Sequence, residues 1–508
     1  MTLWRRICCF SLTALLLLSA LACAKDPEPV NTTTADSLHT IVATQDTTPT
    51  ESTTLYADAL PEDLDFENAT ITFLHREEIS GDFYAETHTG DIVNDAIYES
   101  TLAVEERLNI DIQTVLRRGH TTDVRADYLN HVDQQILAGD QTYDWVDVMT
   151  AYATSRILTG NFLNLLSLEN LDLKQPWYIA NMEETIGIHN RLYFIAGDAS
   201  LSYLKSAFCI YYNRDIAEEF KIEDLNKVVK DGKWTIERLI ELTAQTAVDL
   251  NSDGVYNLDD QLGFISHDSN HRYGYLSSMG IQLYRKGEDG TRTFTFGTDH
   301  DYAACTQIAK LKNNTQGSYF FGASNSGLSN QSHYQSLSEM FIGNRTFMIS
   351  AEIDDVIACG YHGMESTYGV LPYPKFNEEQ ENYATTSRTT HSVFVIPTTC
   401  ADPERAAAVM EALSSTKYQL VLPTYFEVAL KTKYSESTDT AEIFDIIHNS
   451  MVLDFGYVNH LALSNPATVY TNALDNIGSF ASLIKVQEKS LNKKYETVAK
   501  TILEKCPE

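Results

Sequence analysis

The spacing of apolar residues changes several times along the chain, and each change marks an element. ATITFLH, from Ala69, alternates and is rich in β-branched residues, which predicts a strand half buried on one face. Val93, Ile97, Val104 and Leu108 then recur at spacings of four, seven and four, the stripe of an amphipathic helix. IDIQTVL (110–116) reads as a second strand, and Tyr128, Val132 and Ile136, each four residues apart, mark a second helix. YDWVDVMT (143–150) is a third strand. Strand, helix, strand, helix, strand predicts a parallel sheet with right-handed crossovers. A crevice beyond the carboxyl ends of such strands is the natural binding place, which singles out Glu77, Glu78 and Tyr152.

Further on, LYFIAGDASLSYLKSAFCIYYNRD (192–215) holds two strand-like runs around a polar centre. TIERLIELTAQTAVDL predicts a helix with Ile236, Leu239, Ile240 and Ala247 on one face, its first amides capped by the Thr235 hydroxyl. RTFMISAEI (345–353), YGVLPYPK (368–375) and HSVFVIPTT (391–399) read as strands. DPERAAAVMEAL reads as a helix with Pro403 at its first position. No repeat of twenty to fifty residues is apparent.

The N-terminus sets a different register. Arg5 and Arg6 precede an apolar run centred on Leu15–Leu18 that ends in SALAC, the layout of an export signal over residues 1–22. LLLLSALAC resembles a bacterial lipobox, which makes Cys23 the acylated residue; Ala20 stands where leucine is commoner, and plain cleavage after Ala22 is the alternative. Several buried acyl chains, at about 0.8 kcal/mol per CH₂, make a stable anchor. Residues 23–65, rich in Thr, Asp and Pro, cannot bury enough surface to offset their ordering entropy and read as a flexible tether. Beyond Cys23 the cysteines are Cys209, Cys305, Cys359, Cys400 and Cys506, widely spaced and without a CxxC pair, so neither a redox motif nor a zinc knuckle is supported. A formal net charge of -33 argues against nucleic-acid binding, which needs clustered cations.

DLNSDGVYNLDD (249–260) has the spacing of a calcium loop: Asp249, Asn251 and Asp253 as side-chain ligands, the Val255 carbonyl, Asn257 directly or through water, and Gly254 at the sharp turn. Asp260 replaces the usual glutamate at the twelfth position and shortens its reach. The segment after it reads as extended and no second loop pairs with it, so calcium sensing is not expected. A structural Ca²⁺ and a metal-free acidic turn both remain open, with the ligand count favouring the ion; either way the loop ties the helix end to the next strand. No other cofactor is called for. No GxSxG, HExxH, P-loop or GxGxxG motif is present, and paired carboxylates of a glycoside hydrolase cannot be told apart among 70 acidic residues.

Taken in order, YDWVDV, LNLLSLENLDLKQPWY, IYYNRDIAEEF, GKWTIERLIELT, MFIGNRTFMIS, YGVLPYPKF, VIPTTCADPERAAAVMEAL and MVLDFGYV resemble the extracellular solute-binding lipoproteins of ABC importers, family 1-type, related to sugar binders. The resemblance implies a periplasmic-binding-protein-like α/β fold: two discontinuous lobes, 66–205 with 366–418 and 206–365 with 419–508, joined by a hinge near 204–208 and 362–368 around an interlobe cleft. It implies no enzyme but a binder that closes on a small solute, a carbohydrate by class, and delivers it to permease subunits, while lipid-anchored outside the cell membrane. A surface glycan-binding lipoprotein, a carbohydrate-active hydrolase, and a binder of peptide or another solute are the alternatives. Comparison with the maltodextrin-binding branch raises Tyr152, Asp198, Asp268, His271, Tyr273, Glu352 and Tyr470, which join the strand-end Glu77 as ligand-binding candidates, with Trp177 and Trp234 as packing residues.

Overall fold

The first sheet gathers strands from two distant parts of the chain. In the computed structural model, which describes residues 58–313, 316–322, 330–430 and 438–508, strand β1 (Ala69–Arg76) pairs in parallel with β2 (Ile110–Arg117) and β3 (Trp145–Met149). β11 (Ser392–Val395) runs antiparallel to β3, giving the order β11-β3-β1-β2. Helices α1 (Ile92–Leu108) and α2 (Thr122–Leu137) make the crossovers, their predicted apolar positions buried except Val93, which is half-buried. The Asp91 carboxylate caps α1 by accepting from Val93 and Asn94. Helix α3 (Thr150–Ile157) follows β3 directly, so Tyr152 sits at the strand's carboxyl end.

The second sheet has the order β10-β4-β9-β5-β8. β4 (Phe208–Asn213) lies antiparallel between β10 (Tyr368–Pro372) and β9 (Thr346–Glu352), while β5 (Leu262–His267) is parallel to β9 and β8 (Ser318–Phe321). Helix α4 (Ile236–Thr246) begins where its sequence places it, with Thr235 accepting from the Arg238 amide. A small hairpin, β6 (Tyr284–Lys286) with β7 (Arg292–Phe294), stands apart. Helix α5 (Pro403–Leu430) runs well past the expected end at 413 and packs against α1, while its far end meets α6 (Thr438–Asn449) through Phe426 and Phe444. α6 lies on β10, and a one-turn helix, α7 (Phe455–Val458), follows it. Trp177 and Trp234 are packing residues, both fully buried.

Two boundaries differ from the sequence reading. Asp58 and Leu60, assigned to the tether, belong to the folded body: Arg107 grips the Asp58 carboxylate with two bonds of 2.6 and 2.7 Å, and Leu60 enters the core. Tyr368–Pro372, assigned to the first lobe, pairs residue by residue with Cys209–Asn213 in the second sheet. The chain therefore changes sheets later, in SRTTH (387–391). Here Arg388 N donates to the Ser206 carbonyl (2.9 Å) and Phe208 N to Thr386 (3.0 Å), while Thr150 N and Ala151 N donate to His391 and Thr389 at 3.1 and 3.0 Å. Alongside it, Thr385 forms an isolated parallel bridge with Met451. Cys23, the export signal and the tether as far as residue 57 lie outside the described residues.

Candidate functional site

Two groups of polar side chains meet at the crossing strands, one from each sheet. In the first, Asp147 sits inside the buried strand β3, an expensive place for a charge. Arg76, closing β1, compensates it with bonds of 2.8 and 3.0 Å from Nε and Nη2. Burial alone would raise the Asp147 carboxyl; Arg76 outweighs it and holds the group down at about 2. The same guanidinium donates to His120 Nδ1 (3.1 Å) and to the Thr390 carbonyl (3.3 Å). Burial and the neighbouring Arg76 charge push His120 down to about 4, so it remains a neutral acceptor. Arg125 continues the chain, donating to the His120 carbonyl (2.6 Å) and to the Tyr152 hydroxyl (2.9 Å), its guanidinium 4.9 Å from the centre of the Tyr152 ring.

The crossing strand joins this group to the second. Arg388 donates from Nε to the Thr390 hydroxyl (3.0 Å) and sets Nη1 3.1 Å from Glu352 at the end of β9. The Glu352 amide donates to Asp355 (2.7 Å), and the Tyr334 hydroxyl donates to the same carboxylate oxygen. Burial raises both acids and Arg388 opposes it, so the pair holds a proton more readily than free carboxylates do. His271 packs against Tyr334 (5.5 Å) and Phe208 (5.7 Å), with Nδ1 2.8 Å from the Ser350 hydroxyl. Its burial, with His267 and Arg388 nearby, keeps it neutral. Beside these lies a column of flat rings: Tyr273 on Tyr457 (4.7 Å, 27°) and Tyr457 on His460 (6.2 Å, 22°). Asp454 fixes Tyr457 by capping its amide at 2.8 Å, and the Thr154 hydroxyl bonds Asn459, tying this helix to α3.

The guanidinium and carboxylate groups, beside the partly exposed rings of Tyr152, Tyr273 and His460 with Tyr457 buried between the last two, can hydrogen-bond hydroxyls and stack on an apolar ring face at once. Of the sequence candidates, Tyr152, His271, Tyr273 and Glu352 fall within this assembly, and Glu77 lies exposed just past β1. Three others are placed elsewhere. Asp198 is buried against Tyr203 and His448. Tyr470 is fully buried, its hydroxyl donating to the Arg272 carbonyl at 2.9 Å, so it backs the Tyr273 ring rather than offering a face. Asp268 is neutralised by Lys312 at 2.9 Å in a cluster with Arg272 and Asp475. Sequence reasoning missed Arg76, His120, Arg125, Arg388 and Tyr457. One signal was available, since an aspartate inside YDWVDVMT requires a buried cation.

The acidic loop is built around its own amides. Asp249 accepts from Ser252 (2.6 Å) and Gly254 (2.8 Å), Asn251 from Asp253, and Asp253 from Val255. Asn257 donates to the Val255 carbonyl, and buried Asp260 spends both oxygens on Leu250 (3.0 Å) and Asn257 (2.9 Å). Among the described residues no three His, Cys, Asp or Glu side chains converge to hold a metal ion. With the Val248–Gln261 bridge, these bonds tie the end of α4 to β5.

No protein-family model and no curated protein matches the chain. Solved structures do match. UspC of Mycobacterium tuberculosis aligns at 13% identity and TM-score 0.53, covering 84% of this chain and 100% of its own. A cyclo/maltodextrin-binding protein complexed with maltotetraose aligns at 10% and 0.51, covering 89% and 100%. The galacto-N-biose/lacto-N-biose I-binding protein of an ABC transporter from Bifidobacterium longum, in complex with lacto-N-biose, aligns at 13% and 0.50, covering 87% and 100%. With its two sheets, its paired crossing strands and these likenesses, the chain has the two-lobed α/β fold of the periplasmic-binding-protein type.

Proposed function

We propose that the protein is the solute-binding component of an ABC importer, capturing a small carbohydrate between its lobes and presenting it to the permease. The observation that carries this reading is the unbroken polar chain from Tyr152 through Arg125, His120, Arg76, Thr390 and Arg388 to Glu352, flanked by the Tyr273–Tyr457–His460 rings. A solute touching both ends favours whichever arrangement brings them together, which is what a closing binder requires. In this reading Glu77 and Tyr152 meet the ligand from the first lobe, and Glu352, Arg388, Tyr273 and Tyr457 from the second. The first lobe combines residues 58–205 with 392–418, and the second combines 208–372 with most of the remainder.

Acylation of Cys23 is the proposed attachment to the membrane; no helix among the described residues is long and apolar enough to cross one. The structural neighbours bound to sugars support the ligand class. A thermal-shift screen over oligosaccharides, peptides and simple polyols tests it. A ligand at about a hundred times its Kd stabilises by about 2.7 kcal/mol, so a true sugar ligand produces a concentration-dependent rise. Stabilisation by peptides alone, or turnover of the sugar, would replace this reading.

A further inference from the structure

Asp198, displaced from the cleft, takes part in a contact between the lobes. It follows the first-lobe segment that bridges to β11 through Ile195 and Phe394, whereas His448 lies near the end of α6 on the second sheet. His448 Nε2 stands 3.1 and 3.2 Å from the two Asp198 oxygens and 2.8 Å from the Tyr203 hydroxyl, which donates to Asp198 at 2.7 Å. Asp198, Tyr203 and His448 are 2%, 3% and 8% exposed, so the contact is made out of bulk solvent. The other ring nitrogen, Nδ1, faces the Asn449 side-chain oxygen at 3.3 Å. Oxygen acceptors at both nitrogens suit an imidazolium, because a neutral ring can donate from only one of them.

The rest of the surroundings are accounted for. Tyr418 and Phe426 of α5 pack their rings 6.0 and 6.4 Å from the imidazole, and Asp445 adds negative charge from α6 itself. Lys417 turns away, donating to the Phe83 and Ala199 carbonyls at 2.6 and 3.0 Å. A cavity of about 540 Å³ opens beside the cluster, walled by Tyr203, His448, Asn449, Tyr178 and Met451, and gives water and protons a route to the ring.

We propose that Asp198, Tyr203 and His448 form a proton-dependent clasp between the lobes, tight while His448 is an imidazolium and slack once it is neutral. Burial opposes the charge on His448, but Asp198 outweighs it, and the group stands above its ordinary value of 6.5. The clasp is therefore complete below 6.5 and is lost as pH rises through the raised value. The lobe arrangement becomes sensitive to external pH independently of any solute.

The test pairs two readouts on the ligand-free protein. Histidine resonances are titrated by NMR, with His448 assigned by its loss in His448→Gln. Interlobe distances are measured by electron spin resonance between labels at Glu106→Cys and Glu237→Cys, both exposed positions. His448 is expected to titrate with a midpoint above 6.5, and the distance distribution to broaden between about pH 6 and 9 with that same midpoint. His448→Gln is expected to be broad already at low pH, with no further transition. A His448 midpoint at or below 6.5, or equal broadening in both proteins, overturns the clasp. Should His448→Gln fail to fold, the wild-type distances decide: no change across that range refutes it, and broadening removed by Asp198→Asn upholds it.

Discussion

Replacing Asp147 with asparagine tests whether the polar group of the first sheet is held by the Arg76 pair. The substitution preserves shape but leaves a guanidinium, 1% exposed, without its anion. Removing one partner of a buried pair costs about 3–5 kcal/mol. The pH dependence gives an independent figure. With the folded carboxyl at about 2 against an ordinary 3.8, the difference is worth roughly 2 kcal/mol. Because the folded value is depressed, that stability is present above 3.8 and is lost as pH falls through about 2. Urea denaturation at neutral pH should show the midpoint falling by roughly 1–2 M for a slope of about 3 kcal/mol/M, and the mutant's acid limb should flatten. Arg76→Met with Asp147→Leu should recover most of the stability, since apolar replacements of a buried pair are often neutral, while solute affinity stays lost. A midpoint shift below about 0.3 M in the single mutant, with an unchanged acid limb, would refute the reasoning.

Further outcomes follow from the same geometry. Arg388→Gln should leave the circular dichroism spectrum unchanged and weaken sugar binding by about 10- to 100-fold in calorimetry, the worth of charge-assisted bonds. Tyr457→Ala should cost about 1–2 kcal/mol of affinity by removing the middle ring of the column, again read by calorimetry. Glu352→Gln should flatten the decline in stability as pH rises above 4.5, because a carboxyl raised by burial contributes stability below its ordinary value and loses it above. The melting temperature should be the same in calcium and in EDTA, whereas Asp260→Ala should cost about 1–3 kcal/mol in either, since it orphans two loop amides.

Local periodicity carried much of the architecture. The parallel β1–β2 pair, the helices α1, α2 and α4, and the Thr235 cap all follow from residues within one turn or one strand of each other. The partner of β10 did not, because YGVLP is apolar enough for a central strand in either sheet, and only its pairing with Cys209–Asn213 decides. The site was legible in its strand-end members, Tyr152 and Glu352, and illegible where it depends on the crossing segment. Arg388 and Thr390 lie in a short polar stretch that reads as a loop. Asp198 was recognised as a significant polar residue, but its partner His448 is 250 positions away, and no periodicity reports such a pairing.

Small-angle scattering on the protein, with and without the sugar selected by the thermal screen, tests the central claim most directly. Closure of two lobes on a bridging solute predicts a smaller radius of gyration that saturates with binding and is abolished in Arg388→Gln. A profile unchanged at saturating sugar would contradict capture between the lobes.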